Sequence, residues 1–209
     1  MCGTDSRHRR ARAGWCCLAV AVVMGACAAK PLPYPQQIAE WHQQKDRFMR
    51  ESPQSPVPPD KRASFPSLVY FPTDPSYRVP AVLETAAPGP AVEMPTSTGE
   101  KRQMRRVGTL AFTIQGRALT LGAFIEADQN DTEHLFVPFR DLTNGTETYS
   151  GGRYLDLERT ATGIYDLDFN RAYDPFCFYN STYDCPYPPP ENRLTVPIRA
   201  GERLPKPYR

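Results

Sequence analysis

Histidine is scarce in this chain. There are three in 209 residues, and only His42 and His134 lie beyond the first 26. Histidine-rich zinc sites and His-dependent catalytic triads therefore have little to build from. No G-x-S-x-G, phosphate-cradling glycine loop or H-E-x-x-H occurs. Nor is there an internal repeat or a βαβ rhythm, which argues against a dinucleotide fold or an α/β barrel. A basic excess is missing too. The whole chain is +2, but its first 26 residues hold four Arg and one Asp, so the remainder is near −1. A nucleic-acid footprint needs a clustered basic face, so no nucleic-acid partner is expected. The one basic run, Lys101-Arg102-Gln103-Met104-Arg105-Arg106, reads as a solvated loop or strand edge. No cofactor motif is present, and no metal or cofactor is expected. Any catalysis would lean on carboxylates, tyrosines, arginines or thiols.

The N-terminus carries a targeting pattern. Arg7, Arg9, Arg10 and Arg12 precede a short apolar run over 15–24, followed by Met24-Gly25-Ala26-Cys27. A charged head, a short apolar body and small residues at the exit describe a secretory signal over residues 1–26. A cysteine at the first mature position describes lipidation at Cys27. Each buried acyl methylene adds roughly 0.8 kcal/mol, so a multiply acylated cysteine anchors firmly. The expected location is the bacterial cell envelope, facing the periplasm, with the lipid on Cys27 holding the protein to a membrane. No Asp follows Cys27, which favours the outer membrane over the inner.

Residues 27–35 read as a tether, and 36–209 as a single domain. All 23 prolines lie beyond residue 30, which favours turns and sheet edges over long helices. One amphipathic helix is expected at 36–51, with Ile38, Trp41 and Phe48 near helical spacing and His42 facing solvent. Strands are expected at 67–71, 78–84, 109–115, 118–125, 135–139, 154–159, 164–169 and 193–199. Leu110, Phe112 and Ile114 alternate, as do Leu119, Leu121, Ala123 and Ile125, and Gln115-Gly116 between them predicts a hairpin. Pro138 suggests a sheet edge or the exit of its strand. The sum is a mainly β protein, a single antiparallel barrel or sandwich-like domain with one N-terminal helix.

Three polar segments could carry chemistry. In 141–154, Gly151-Gly152 permits positive φ or close approach, and Arg153 could hold an anion oriented by Asp141 or Tyr149. In 166–170, Asp166 and Asp168 share a strand face. Asp166 is expected in solvent and Asp168 beside a structural partner such as Arg153 or Arg193. The third is 168–194, which crowds two cysteines, four tyrosines and five prolines together. Cys177 and Cys185 could form a disulfide, which would contribute about 2–3 kcal/mol by closing so short a loop. A reactive thiol, a metal site or plain packing are the other readings.

These residues together resemble the bacterial and archaeal proteins grouped as the domain of unknown function DUF1684. The resemblance is carried by Trp41, Lys45-Asp46 and Phe48; Ser55-Pro56; Phe65 before Leu68 and Tyr70-Phe71-Pro72; Gly108-Thr109-Leu110 with Phe112 and Gly116. It continues through Phe139, Asp141-Leu142-Thr143, Thr148-Tyr149, Gly151-Gly152-Arg153-Tyr154, Asp168-Phe169-Asn170 and Tyr173. Cys177, Tyr179, Cys185-Pro186, Pro189, Asn192-Arg193-Leu194 and Gly201-Glu202 complete it. The chain departs from the family pattern at Asp174-Pro175, where Asn-Pro is expected. The resemblance implies no activity, but its polar positions (Asp141, Tyr149, Arg153, Asp168, Asn170, Asn192) would suit a site.

The reading that follows is a binding module for a small anionic ligand or envelope component, held by Arg153, Tyr149, Asn170 and Arg193. The alternative is a metal-independent hydrolase, with Asp168 or Asp141 as acid/base and Tyr149 or Arg153 stabilising charge. A second alternative is a purely structural protein, its polar set a buried network holding the 168–194 strap.

Overall fold

The computed structural model describes residues 31–87, 90–128, 134–158, 160, 162 and 164–205. The expected signal segment and Cys27 lie outside them. Among the described residues no helix is long and apolar enough to cross a membrane.

Helix α1 (Tyr34–Glu51) begins two residues earlier than expected. Pro35 sits in its first turn, where a missing N–H costs nothing. It buries Ile38 and Met49, and ends where the Ser52 N–H bonds to the Phe48 carbonyl just before Pro53. The seven strands are β1 (Arg78–Thr85), β2 (Val92–Pro95), β3 (Lys101–Ile114), β4 (Arg117–Glu126), β5 (His134–Phe139), β6 (Arg153–Glu158) and β7 (Ile164–Asp168). They form one antiparallel sheet in the order β6-β5-β4-β3-β1-β7, with β2 added to β3. The two ends of this sheet, β6 and β7, are consecutive in sequence and in contact. The sheet is therefore a nearly closed barrel.

The alternation read from the sequence sets its interior. Leu110, Phe112 and Ile114 of β3 meet Leu121, Ala123 and Ile125 of β4, with Leu135, Val137, Phe139, Leu155, Leu157, Tyr165 and Leu167 completing the layer. The β3–β4 hairpin turns at Gln115-Gly116, both at positive φ (49° and 75°), as a two-residue hairpin of primed type requires. The basic run 101–106 is the first half of the long strand β3, which a bulge between Arg106 and Gly108 bends.

Two expected strands are not regular ones. Tyr70 of 67–71 makes a single bridge to Glu202. Within and just past the expected strand 193–199, alternate residues are buried: Leu194, Val196, Ile198 and Ala200. Their neighbours over 140–148 are turns, so only scattered bonds form, such as Leu194 N–H to the Arg140 carbonyl at 2.7 Å. Pro138 lies inside the sheet, not at its edge, because the β4–β5 seam is nearly unzipped there. Phe124 and Phe136 are its one registered pair, so the missing N–H breaks no ladder.

Candidate functional site

The polar residues nominated from the sequence fall into four groups. Arg153 and Asp141 form the first. Arg153 is wholly buried; its Nη2 donates to Asp141 Oδ2 at 3.0 Å and to the Ile198 carbonyl at 2.8 Å. Its Nη1 donates to the carbonyls of Ala200 at 2.5 Å and Glu202 at 3.0 Å. The other Asp141 oxygen accepts from Thr143 N–H (2.8 Å), Thr143 Oγ1 (2.6 Å) and Ile198 N–H (3.1 Å). A rigid, planar donor fork suits this task, since 198–202 has no strand partner to take its carbonyls. Arg153 pairs with Asp141 rather than Asp168, and its guanidinium does not face solvent. Gly152 just before it takes φ 101°, and a Cβ there would meet the Phe139 carbonyl oxygen at 2.8 Å.

Asp168 and Asn170 form the second group, at the foot of α1. Asp168 Oδ1 accepts from the Tyr34 hydroxyl (2.8 Å) and from the Asn170 N–H (3.0 Å), and Oδ2 lies 3.7 Å from Arg171. Asn170 holds the loop at Asp74 from both ends of its amide, accepting from Asp74 N–H and donating to its carbonyl, each at 2.9 Å. His42 is not solvent-facing as expected. It is half-buried and stacks on Tyr70 at 3.5 Å, because the 168–171 turn packs against that side of α1. Desolvation lowers its pKa, opposed by the Asn170 carbonyl. Asp166 is exposed and paired with Arg78, Nη2 to Oδ2 at 2.6 Å.

Asn192, the third, is fully buried in the opened β4–β5 seam. Its amide donates to the carbonyls of Gly122 (2.9 Å) and Pro138 (2.6 Å) and accepts the Gly122 N–H (2.6 Å). One side chain thus replaces the missing ladder. Arg193 beside it points out to solvent.

Tyr149 belongs with the cysteines. Its ring packs on Phe178 at 5.1 Å and its hydroxyl reaches the Cys177 thiol; burial is the main cause that pushes it up to about 12. Cys177 and Cys185 are both free thiols, with no bond between them. The short helix α2 (Phe176–Tyr179) carries Cys177, and its N–H donates to Cys185 Sγ at 3.2 Å.

The open site lies elsewhere, on the outer face of β4–β6. A cleft of about 560 Å³ has Met104, Phe124, Phe136 and Tyr154 as its floor. The strap forms the opposite wall with Tyr173, Phe176, Tyr183 and Cys185. The strap is tied there by Ser97 N–H to the Cys185 carbonyl (2.9 Å) and Tyr187 N–H to the Pro95 carbonyl (2.8 Å). Tyr154 fixes it again, its hydroxyl donating to the Pro186 carbonyl at 2.6 Å. At the rim, Arg102 is engaged by Glu126 and Asp184, both at 3.5 Å. Asp156 opens into the cleft, with Oδ2 accepting from the Tyr173 hydroxyl at 2.6 Å. Desolvation by the apolar walls raises its carboxyl pKa, opposed by that hydrogen bond, Lys45 and His134. Lys45 stands 3.8 Å from the Tyr173 ring centroid. A second hollow of about 380 Å³ between α1 and the strap shares Asp156, Tyr173 and Phe176 with the cleft.

Residues 63–203 match the family model DUF1684, a protein of unknown function. The chain belongs to this family. The fold has a solved counterpart among such proteins. The solution NMR structure of an uncharacterized protein of Haloarcula marismortui is 41% identical, with a TM-score of 0.63, and the match covers 81% of this chain and 93% of that one. No curated protein matches.

The DUF1684 positions singled out in the sequence are thus mainly buried and hydrogen-bonded within the fold, and the sequence reading did not single out Asp156, Met104, Phe124 and Phe136 of the cleft. A signal for them existed. Phe124 and Phe136 lie on the strand faces opposite the inward sets, where polar residues are the rule. Among the described residues no group of three or more His, Cys, Asp and Glu side chains is placed to hold a metal ion.

Proposed function

We propose that this protein is a small-molecule binding module whose ligand occupies the outer cleft. The observation that carries the reading is the cleft itself. Its volume of about 560 Å³ lies within the range of ligand sites, and its apolar floor with a few convergent polar groups is their usual chemistry. The ligand is an aromatic or branched apolar body bearing a hydrogen-bond donor, an amine or hydroxyl, for Asp156. The anionic ligand expected from the sequence needed the fork of Arg153, which the C-terminal segment occupies. The envelope setting and the lipid on Cys27 complete the proposal: a tethered domain that samples small molecules or envelope components near a membrane.

The test is titration of the full chain with phenethylamine, phenethyl alcohol and phenylacetate, followed by calorimetry and by amide NMR shifts. The amine should bind best and phenylacetate worst, with shifts on β4–β6 and on 173–186. Asp156→Asn should erase the preference for the amine while leaving the site of the shifts unchanged. Shifts confined to another face, or no ranking among the three, would overturn the reading.

A further inference from the structure

The 176–186 strap brings two thiols together asymmetrically. Pro175 starts a single helical turn that presents Cys177 half-exposed. The Asn180 N–H to the Phe176 carbonyl (3.0 Å) and the Tyr183 N–H to the Asn180 carbonyl (3.1 Å) then fold the chain back. Cys185 lands beneath it, only 7% exposed. Ser97 grips Cys185 on both sides: its Oγ accepts the Cys185 N–H at 3.1 Å and its N–H donates to the Cys185 carbonyl at 2.9 Å. The Cys177 N–H points at Cys185 Sγ at 3.2 Å. That contact sets the two thiols side by side, with Tyr149 facing Cys177. One sulfur is therefore reachable from outside and rich in donors; the other is buried, clamped and in contact with it.

We infer that Cys177 and Cys185 form a thiol–disulfide exchange pair, with Cys177 the attacking sulfur and Cys185 the resolving one, acting on small accessible disulfides. The Cys177 thiolate attacks one sulfur of R–S–S–R, forming a mixed disulfide and expelling RS⁻. The Cys185 thiol loses its proton, attacks the Cys177 sulfur, and expels the second RS⁻ as the internal disulfide forms. The substrate disulfide is reduced to two thiolates and the protein pair is oxidised, the single proton of Cys185 being released to solvent or to one of the leaving thiolates. The order of attack follows from the surroundings. The hydrogen bond from Cys185, then those of Ser97 and Tyr149, favour the thiolate of Cys177 against burial and bring its pKa down to about 6, while donating to Cys177 and burial push Cys185 up. The titratable groups facing the pair are Arg102, which favours ionisation of Cys185, and the Asp174 carboxyl, which the Cys177 thiolate helps to keep protonated.

The probe is glutathione disulfide, and the readout is the tryptic peptide 172–193 of the full chain. It contains Cys177 and Cys185 and no other cysteine. After reduction, exposure to the probe and acid quenching, the wild-type peptide should appear as an internal disulfide, reversed by excess reduced glutathione. Cys185→Ser should accumulate a mixed disulfide on Cys177. At pH 6 Cys177 should react about 10 times as fast as an unperturbed thiol, since its larger thiolate fraction outweighs its weaker nucleophilicity. A rate profile centred near the ordinary value of about 8.5 would overturn the inference. So would a wild-type peptide carrying two independent mixed disulfides, or an internal disulfide that excess glutathione cannot reduce. These wild-type readouts decide the matter even if a variant fails to fold.

Discussion

Asp174 is a carboxyl group with nothing to bind it. Its side chain is 0% exposed and neither oxygen has a hydrogen-bond partner. Glu202, 2% exposed, stands beside it and takes what donors there are: the Asp174 N–H at 3.1 Å, the Tyr179 hydroxyl, and Lys45 at 3.6 Å. Glu202 and Lys45 balance each other, so an ionised Asp174 would leave a buried surplus negative charge. Burial first, then Glu202, push the Asp174 carboxyl well above its ordinary range, against Arg153 and Lys45. The sign follows from linkage. The folded protein keeps a proton that the unfolded chain releases near pH 4, so this stabilising proton is fully effective below that pH. Its contribution is lost as pH rises toward the folded value, with a slope of about 1.4 kcal/mol per pH unit. Between pH 5 and 6 that corresponds to roughly 3–6 °C in Tm for a domain of this size. Half-buried His42 acts oppositely, because its pKa is lowered and stability rises as the unfolded histidine loses its proton. The wild-type slope is thus a sum, and the difference from Asp174→Asn isolates the carboxyl. Urea unfolding at pH 5, 5.5 and 6 should show the variant's stability gaining on wild type by about 1.4 kcal/mol across the interval, whatever offset the amide introduces. Parallel pH dependences in the two proteins would refute the buried neutral acid.

Arg153→Met should cost about 3–5 kcal/mol in urea unfolding, because it strands the buried Asp141 carboxylate and three carbonyls. Arg153→Lys should recover only part, since an ammonium cannot span the fork. Asn192→Ala should cost about 2–4 kcal/mol, given that Gly122 and Pro138 lose their partners; exchange of the Gly122 amide should accelerate by more than the global loss explains. Tyr34→Phe removes the hydroxyl that links α1 to Asp168 and should cost about 1 kcal/mol in thermal unfolding, with faster amide exchange in the first turns of the helix.

Periodicity made the barrel legible. The inward sets of β3 and β4 were readable from alternation alone, and Gln115-Gly116 declared its own turn. What failed has identifiable causes. β2 is four residues long, with only Met94 buried, so it lacks a period to recognise. The charged start of β3 follows the rule for a solvated segment until β2 and β4 flank it. Residues 194–200 kept their alternation but not a ladder, since turns, not a strand, run beside them. At the site, spacing identified Arg153 as an anchoring cation without identifying its partner. Asp168 was the carboxylate offered to it and Asp141 a group orienting a ligand anion, and only the closure of the barrel end put Asp141 within 3.0 Å.

The division between network and cleft has a physical basis. Residues 198–202 enter the barrel end with only the Gly201 carbonyl bonded by backbone, to the Phe71 N–H, and burying the carbonyls of Ile198, Ala200 and Glu202 bare would cost about 1–3 kcal/mol apiece. Arg153 answers several at once, and Asn192 does the same at the seam. Side chains so committed cannot also serve a ligand, because loading one partner would orphan another. The outer cleft has no such constraint. Its floor is apolar on a face where solvent is the default, and Asp156 keeps accessible carboxylate surface beside a single tyrosine. The strap is what both halves share: Arg153 pins the segment against which it lies, and its far side walls the cleft and carries both thiols. Closing a disulfide between Cys177 and Cys185 would stiffen that wall without touching the buried network, so ligand affinity should change with oxidation, beside the about 2–3 kcal/mol that the closed loop adds to global stability. Phenethylamine titrations of the reduced and oxidised protein, set against their urea midpoints, measure both effects directly. Equal affinities in the two states would mean that the thiols and the cleft act independently.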